Sequence, residues 1–215
     1  RQRGPAQSLP AFEGALDAAR EAGAPGVLAR ALGVYATALT MAGRLDEAAG
    51  ALGEAELLVS TRAPSLRPEL ASWRAQLAAA HGDLGARRAA YLAALSLFEE
   101  VGDERARAGV SVNLGDVLNR FGAFEEAEAT LLDALARCRA LGIRLMEGYA
   151  LVNLGYARTM LARHGAARTD LDAARALADA TGDRHLATWA SLCRARLAPA
   201  TGAAPKTSPP LLPTT

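Results

Sequence analysis

Glycines at positions 102, 142 and 182 punctuate the chain at an interval of 40 residues. An internal period of that length implies that apolar surface is buried by stacking like units on one another rather than around one closed core. The phase also holds inside the units, because Asn113-Leu114-Gly115 returns as Asn153-Leu154-Gly155. A second landmark carries the register backwards. Gly43, Gly82, Gly122 and Ala162 stand 39, 40 and 40 apart, and each is followed twelve residues later by an alanine, Ala55, Ala94, Ala134 and Ala174. Four units are therefore visible. A leading half unit over 11–22 keeps the same register, with Ala15-Leu16 standing 40 before Ala55-Glu56, and a trailing helix over 184–197 closes the series.

The composition is half apolar and only 5% aromatic, which suits closely packed helices rich in Ala and Leu better than a sheet built of branched and aromatic side chains. The expected class is all-α, with one repeat array over 11–198, an irregular linker over 1–10 and a disordered proline-rich tail over 199–215. In that tail prolines remove helix donors and little apolar surface is offered for burial. The formal net charge is +1, with 24 basic and 23 acidic residues interspersed, so no overall field draws the chain to nucleic acid or to an anionic membrane. Lys206 is the only lysine; the arginine-dominated positive charge reads as coding bias rather than as a phosphate-binding surface. Cys138 and Cys193 fall on different expected helices without metal-ligand spacing, so a reducing cytoplasm is the expected compartment. No apolar run approaches 18 residues and no signal peptide opens the sequence. The chain begins with Arg rather than Met, and the expected first helix carries Phe12 and Leu16 without an upstream partner, as a piece of a longer protein would.

Each unit reads as two helices. In the third, residues 106–120 form one, Phe121-Gly122-Ala123 the turn, and 124–141 the second, which Gly142 stops. Glycine accepts a left-handed backbone at a helix end, and in Gly102-Asp103 and Gly182-Asp183 the adjoining Asp can accept hydrogen bonds from the next helix's free amides. Small residues recur at contact positions: Ala36, Ala75, Gly115 and Gly155 on the first helix of each pair, and Ala48, Ala127 and Ala167 on the second. Such positions let helix axes approach to about 8 Å. Arg87 interrupts the second series, so the second unit is expected either to pack less tightly or to snorkel the guanidinium outward. Between 61 and 68 two prolines replace the glycine stop, and Pro68 is well placed to begin a helix.

The pattern of Leu-Gly, a turn glycine seven residues later, a small residue five beyond it and Ala-Leu seven beyond that, whole in Leu114 to Leu135, resembles the tetratricopeptide repeat. The match covers residues 11–197. The 40-residue spacing, the Gly-Asp punctuation and the Asn-Leu-Gly core are similar to the long-helix subgroup of Pins-type adaptors and kinesin light chains, and to the sensor arrays of bacterial signalling ATPases and kinases. Ala162 and Arg158 depart from the pattern, which usually has glycine and an apolar residue there. The resemblance implies a right-handed superhelix of about four antiparallel helix pairs plus a leading half repeat and a trailing helix. Its first helices would line a concave groove that grips a peptide or partner protein.

With Asn113 and Asn153 placed on that groove, offsets of three, four and seven residues put Asp116 and Arg120 beside the first, and Tyr149, Tyr156 and Met160 beside the second. The same stripe runs through Arg30, Val34 and Thr37 in the first unit and Glu69, Trp73 and Gln76 in the second; Asn119 lies next to it. An Asn amide can bond both the C=O and the N–H of an extended peptide, which is what the resemblance implies for Asn113 and Asn153. Bridging adjacent helices would use the same donors and acceptors. Trp73, Tyr149 and Tyr156 suit an interface as well as they suit packing between units.

Nothing in the sequence offers an address for enzymatic chemistry or a cofactor: no Walker loop, Gly-x-Ser-x-Gly elbow, His-Glu-x-x-His helix or Cys-x-x-Cys pair occurs. His81, His164 and His185 stand at unrelated registers without a second ligand at metal spacing. The expected function is protein or peptide binding within a bacterial cytoplasmic signalling or regulatory protein. The alternatives are the regulatory arm of a multidomain kinase, ATPase or transcription regulator, and a homo-oligomerising module that pairs an exposed terminal helix face.

Overall fold

The computed structural model describes residues 5–197, with side chains from residue 9 onward; the expected tail over 199–215 lies outside them. Among the described residues all regular structure is helical. Ten α-helices follow in order: α1 (Pro5–Glu21), α2 (Pro25–Met41), α3 (Leu45–Thr61), α4 (Arg67–Ala80), α5 (Leu84–Glu100), α6 (Glu104–Phe121), α7 (Phe124–Ala140), α8 (Arg144–Met160), α9 (His164–Thr181) and α10 (Arg184–Arg196), with a short 3-10 turn at Pro64–Leu66 before α4. The leading half unit is α1, the four pairs are α2/α3 to α8/α9, and α10 trails. α1 begins within the stretch expected as linker, because a proline heading a helix forfeits no intrahelical hydrogen bond, and Pro10 is accommodated inside it.

The repeating glycines act as stops through backbone geometry. Gly43, Gly82 and Gly122 have φ of +77°, +74° and +77°, a left-handed conformation that costs an L residue about 1–2 kcal/mol. Ala162 takes the same turn with φ 57° and is the one non-glycine residue with positive φ among the described residues. The aspartates supply the starts: Asp83, Asp103 and Asp183 accept from the amides of Ala86, Ala106 and Leu186 at 2.8, 2.9 and 2.9 Å. Each satisfies one of the orphan donors at a helix N-terminus.

The chain falls into two compact units, one up to Val101 and one from Gly102. In the first, each helix packs on the next and α2 also packs on α4; in the second, α6 to α10 follow the same rule, with α6 on α8 and α8 on α10. Ala29, Ala36, Leu52, Val59, Leu66 and Leu70 form one core cluster of the first unit. In the second, a Cβ on Gly115 would lie 2.4 Å from Leu131, and one on Gly155 would lie 2.6 Å from Leu171. The absent side chains thus let helix pairs close on Leu131 and Leu171. Both leucines are fully buried, worth about 1.5–3 kcal/mol each in transfer terms. Arg87 corrects an expectation. It does not snorkel but is buried, with its guanidinium 5.5 Å from the ring centroid of Tyr91; a weakly hydrated planar cation is held by an aromatic face.

Candidate functional site

In the second unit the expected stripe is partly closed. The Asn153 side chain is 1% exposed, and its main-chain carbonyl accepts from Nδ2 of buried Asn119 at 3.0 Å. Asn119 Oδ1, an acceptor, and Asn153 Nδ2, a donor, are buried without a protein partner. Asp116 is buried and bonded to Arg120 at 3.0 Å. Tyr149, expected on an open wall, is also inside. Its hydroxyl donates to Asp183 at 3.3 Å and lies 3.3 Å from His185 Nδ1, its ring stacks obliquely on His185 and Trp189, and burial, followed by the Asp183 charge, pushes its pKa up to about 12. The physical reason is common to both corrections: α6 packs on α8, and α8 on α10, over the flank from which these side chains project. Asn113 stays half-buried. Tyr156 is half-buried, edge-on to Phe124 at 6.3 Å with Arg196 5.7 Å above its ring; Met160 is exposed.

Arg158, the departure from the repeat pattern, is the centre of an ion network. Its guanidinium bonds Glu128 on α7 and Asp170 on α9, each at 2.8 Å, and Arg163 makes a second bond to Glu128. Hydrogen bonding from Arg158 holds the Glu128 carboxyl below its ordinary pKa. Burial pushes Asp170 above its own, against the pull of Arg158. Both carboxylates are largely withdrawn from solvent, so the cation ties two second helices together through the first helix between them.

In the first unit Thr37 bonds back to the carbonyl of Gly33 at 3.1 Å, and Trp73 lies over Gly33, where a Cβ would come within 2.3 Å of the indole. Gln76 is half-buried, with its Oε1 unpartnered. Arg30 and Glu69 form a pair at 3.0 Å. Arg30 and Val34 also line an open groove of about 980 Å³ between α1 and α2, closed at one side by Ser65 and Leu66. Its walls are apolar: Phe12 and Ala15 from α1 face Val27, Ala31 and Val34 from α2, and Val27 and Val34 remain 55% and 41% exposed. The stripe named Arg30 and Val34, but it left out α1 and Val27. The signal for α1 was available in the apolar spacing of Phe12, Ala15 and Ala22.

His81, His164 and His185 are all exposed, and among the described residues no three His, Cys, Asp or Glu side chains gather as metal ligands. No described helix is long and apolar enough to cross a membrane.

No protein-family model and no curated protein matches the chain. Among solved structures, it is similar to aspartyl phosphate phosphatase F from Bacillus subtilis, at 13% identity and TM-score 0.72 over 79% of this chain and 45% of that one. It is also similar to BtubC (BKLC) from P. vanneervenii, at 20% identity and TM-score 0.69 over 98% of both chains. The chain thus spans less than half the length of the first of these proteins. The all-α fold of antiparallel helix pairs, of the tetratricopeptide-repeat type, agrees with both.

Proposed function

We propose that the chain is a protein-binding module that takes an apolar peptide or helical segment of a partner into the groove between α1 and α2. The observation that carries the reading is the groove itself: a large concave surface with apolar walls and two exposed valines, to which Arg30 adds a single charged side chain. Concave, mostly apolar and preformed surfaces of this size are where ligands bind. The half-buried Asn113 and Tyr156 and exposed Met160 of the second unit are proposed as a secondary contact stripe. The repeat register defines the proposed binding domain, residues 11–198, and the resemblance to bacterial sensor arrays, together with two bacterial structural neighbours, supports a cytoplasmic signalling or regulatory setting.

The test is selection of binders to the purified chain from a random peptide library, followed by calorimetric titration of the best sequences against the native chain and Val34→Glu. Binding weakened at least tenfold by V34E is expected, since a charge in an apolar contact forfeits about 1.4 kcal/mol or more. A library that yields no binder, or only binders indifferent to V34E, refutes the reading.

A further inference from the structure

We infer that the contact stripe of the second unit is covered by the chain's own proline-rich tail, whose residues 206–213 lie across Phe124, Tyr156 and Met160. The inference rests on the reading of Tyr156 and Met160 as contact residues and names what they contact. α7 packs on α6 and α8, and α8 on α6, α7, α9 and α10, so what these helices leave open is not the seat of a further repeat. Phe124 heads α7 and meets the Tyr156 ring edge-on at 6.3 Å. Both rings are half-buried, and Met160, one helical turn beyond Tyr156 on the same face of α8, is 48% exposed. Glu125, next to Phe124 in the first turn of α7, is exposed. The surface is thus two aromatic rings and a thioether, with a carboxylate on the Phe124 side. On the Tyr156 side Arg196 of α10 stands 5.7 Å from the ring centroid. The tail starts within two residues of Arg196 and so sets out from the edge of this surface.

The tail has the chemistry that such a surface takes. From 205 it reads Pro-Lys-Thr-Ser-Pro-Pro-Leu-Leu-Pro. Segments of this composition dock on aromatic surfaces as polyproline helices, which repeat every three residues. In that helix Lys206, Pro209 and Leu212 share one edge, Pro210 and Pro213 share the next, and Ser208, Leu211 and Thr214 turn away. With Lys206 at Glu125, Pro209 stands one turn further on, about 9 Å, against Phe124 and Tyr156, and Leu212 reaches Met160. The groove between α1 and α2 suits this segment less: apart from Phe12 its walls are aliphatic, and its charged residue, Arg30, has the sign of Lys206. The return path is long enough. Residues 197–205 can span about 30 Å, whereas the whole of α8 is about 25 Å long, so every point of the stripe lies within reach. A partner that uses the stripe must first displace the tail, which therefore sets a threshold on binding there.

Methyl NMR of the full chain tests this through its methionines, Met41, Met146 and Met160. Thr214→Cys carries a nitroxide on the edge turned away from the stripe, and because Cys138 and Cys193 are buried the label goes to one position. Met146 is the internal control, since it stands near the other end of α8, about 21 Å from Met160. A short tether holds the tail at an effective concentration of about a millimolar, so a contact with a Kd of that order keeps the stripe about half covered. Relative to the reduced label, Met160 is expected to lose about half of its intensity or more, by the same arithmetic, and Met146 little. The triple change Pro209→Ala, Pro210→Ala and Pro213→Ala keeps the tether, touches no described helix, and is expected to restore Met160. Tyr156→Ala, shown to be folded by circular dichroism, is expected to do the same. A Met160 signal equally intense with oxidised and reduced label overturns the inference. So does a loss that the proline variant leaves unchanged, which the tether alone would produce. Library peptides then separate this failure from that of the stripe. If they shift Met160 while the labelled tail leaves it intense, the stripe is a contact surface for another segment; if they do not, the reading of the stripe falls as well.

Discussion

Ala162 marks the residue at which the repeat pays a conformational cost. It holds φ 57° in a turn that glycine occupies in the preceding units, so Ala162→Gly is expected to stabilise the protein by about 1 kcal/mol, the left-handed penalty less the added chain entropy of glycine. Urea denaturation measures this. Arg158 has the opposite character. Replacing it with Met keeps most of the volume but leaves Glu128 and Asp170 withdrawn from solvent without their shared cation, an expected loss of about 3–5 kcal/mol. The same site sets a pH dependence. Glu128 titrates below its ordinary 4.5 in the folded state, chiefly through the Arg158 bond, so its contribution is in place above pH 4.5 and disappears as pH falls through the lowered value. Asp170, raised by burial, has the reverse sign: its ionisation weakens the fold and its protonation relieves that. Stability measured from pH 6 to 3 should therefore fall less steeply below 4.5 in Glu128→Gln than in the native chain. Turn glycines and aspartate caps were legible in the sequence because backbone sterics and free amides act locally. The inward position of Asn153 and the bridging role of Arg158 were not, since a helical period gives the angle at which a side chain leaves its helix and not what packs against it there.

Among elements, the helices are separable in their starts and inseparable in their contacts. Asp103 caps α6 through a single bond to the Ala106 amide; Asp103→Ala should cost about 1 kcal/mol and Asp103→Asn almost nothing, because an Asn oxygen caps as well. Gly155→Val acts across elements instead. Its Cβ would fall 2.6 Å from Leu171 and 3.3 Å from the Ala167 carbonyl, and backbone cannot yield as a side-chain tip can, so α8 and α9 must separate at an expected cost of about 1–3 kcal/mol. Thermal denaturation of the three variants would rank them. The third helix pair, read as 106–120 and 124–141, was legible from the 40-residue register to within a few residues of Glu104–Phe121 and Phe124–Ala140. The early start of α1 was missed because prolines read as breakers unless their position within the first turns is known.

For the whole molecule, repeat packing makes stability a sum of neighbour terms rather than one indivisible quantity, and the two compact units each carry one of the two tryptophans, Trp73 and Trp189. Trp189→Phe leaves fluorescence that reports the first unit and Trp73→Phe leaves fluorescence that reports the second. Adding Gly155→Val to each should lower the unfolding midpoint seen by Trp189 more than that seen by Trp73. Coincident shifts would mean that the two units melt as one. At this scale the groove was only half legible: Arg30 and Val34 were named from the stripe, whereas the pairing of Phe12 and Ala15 on α1 with the wall of α2 is a matter of how the two helices pack.

Both thiols, Cys138 and Cys193, are sealed in the interior, and burial drives their pKa values to about 11 and 12. A maleimide dye will therefore pass them by in the native protein. A single cysteine introduced at an exposed position can be labelled without first deleting the natural ones.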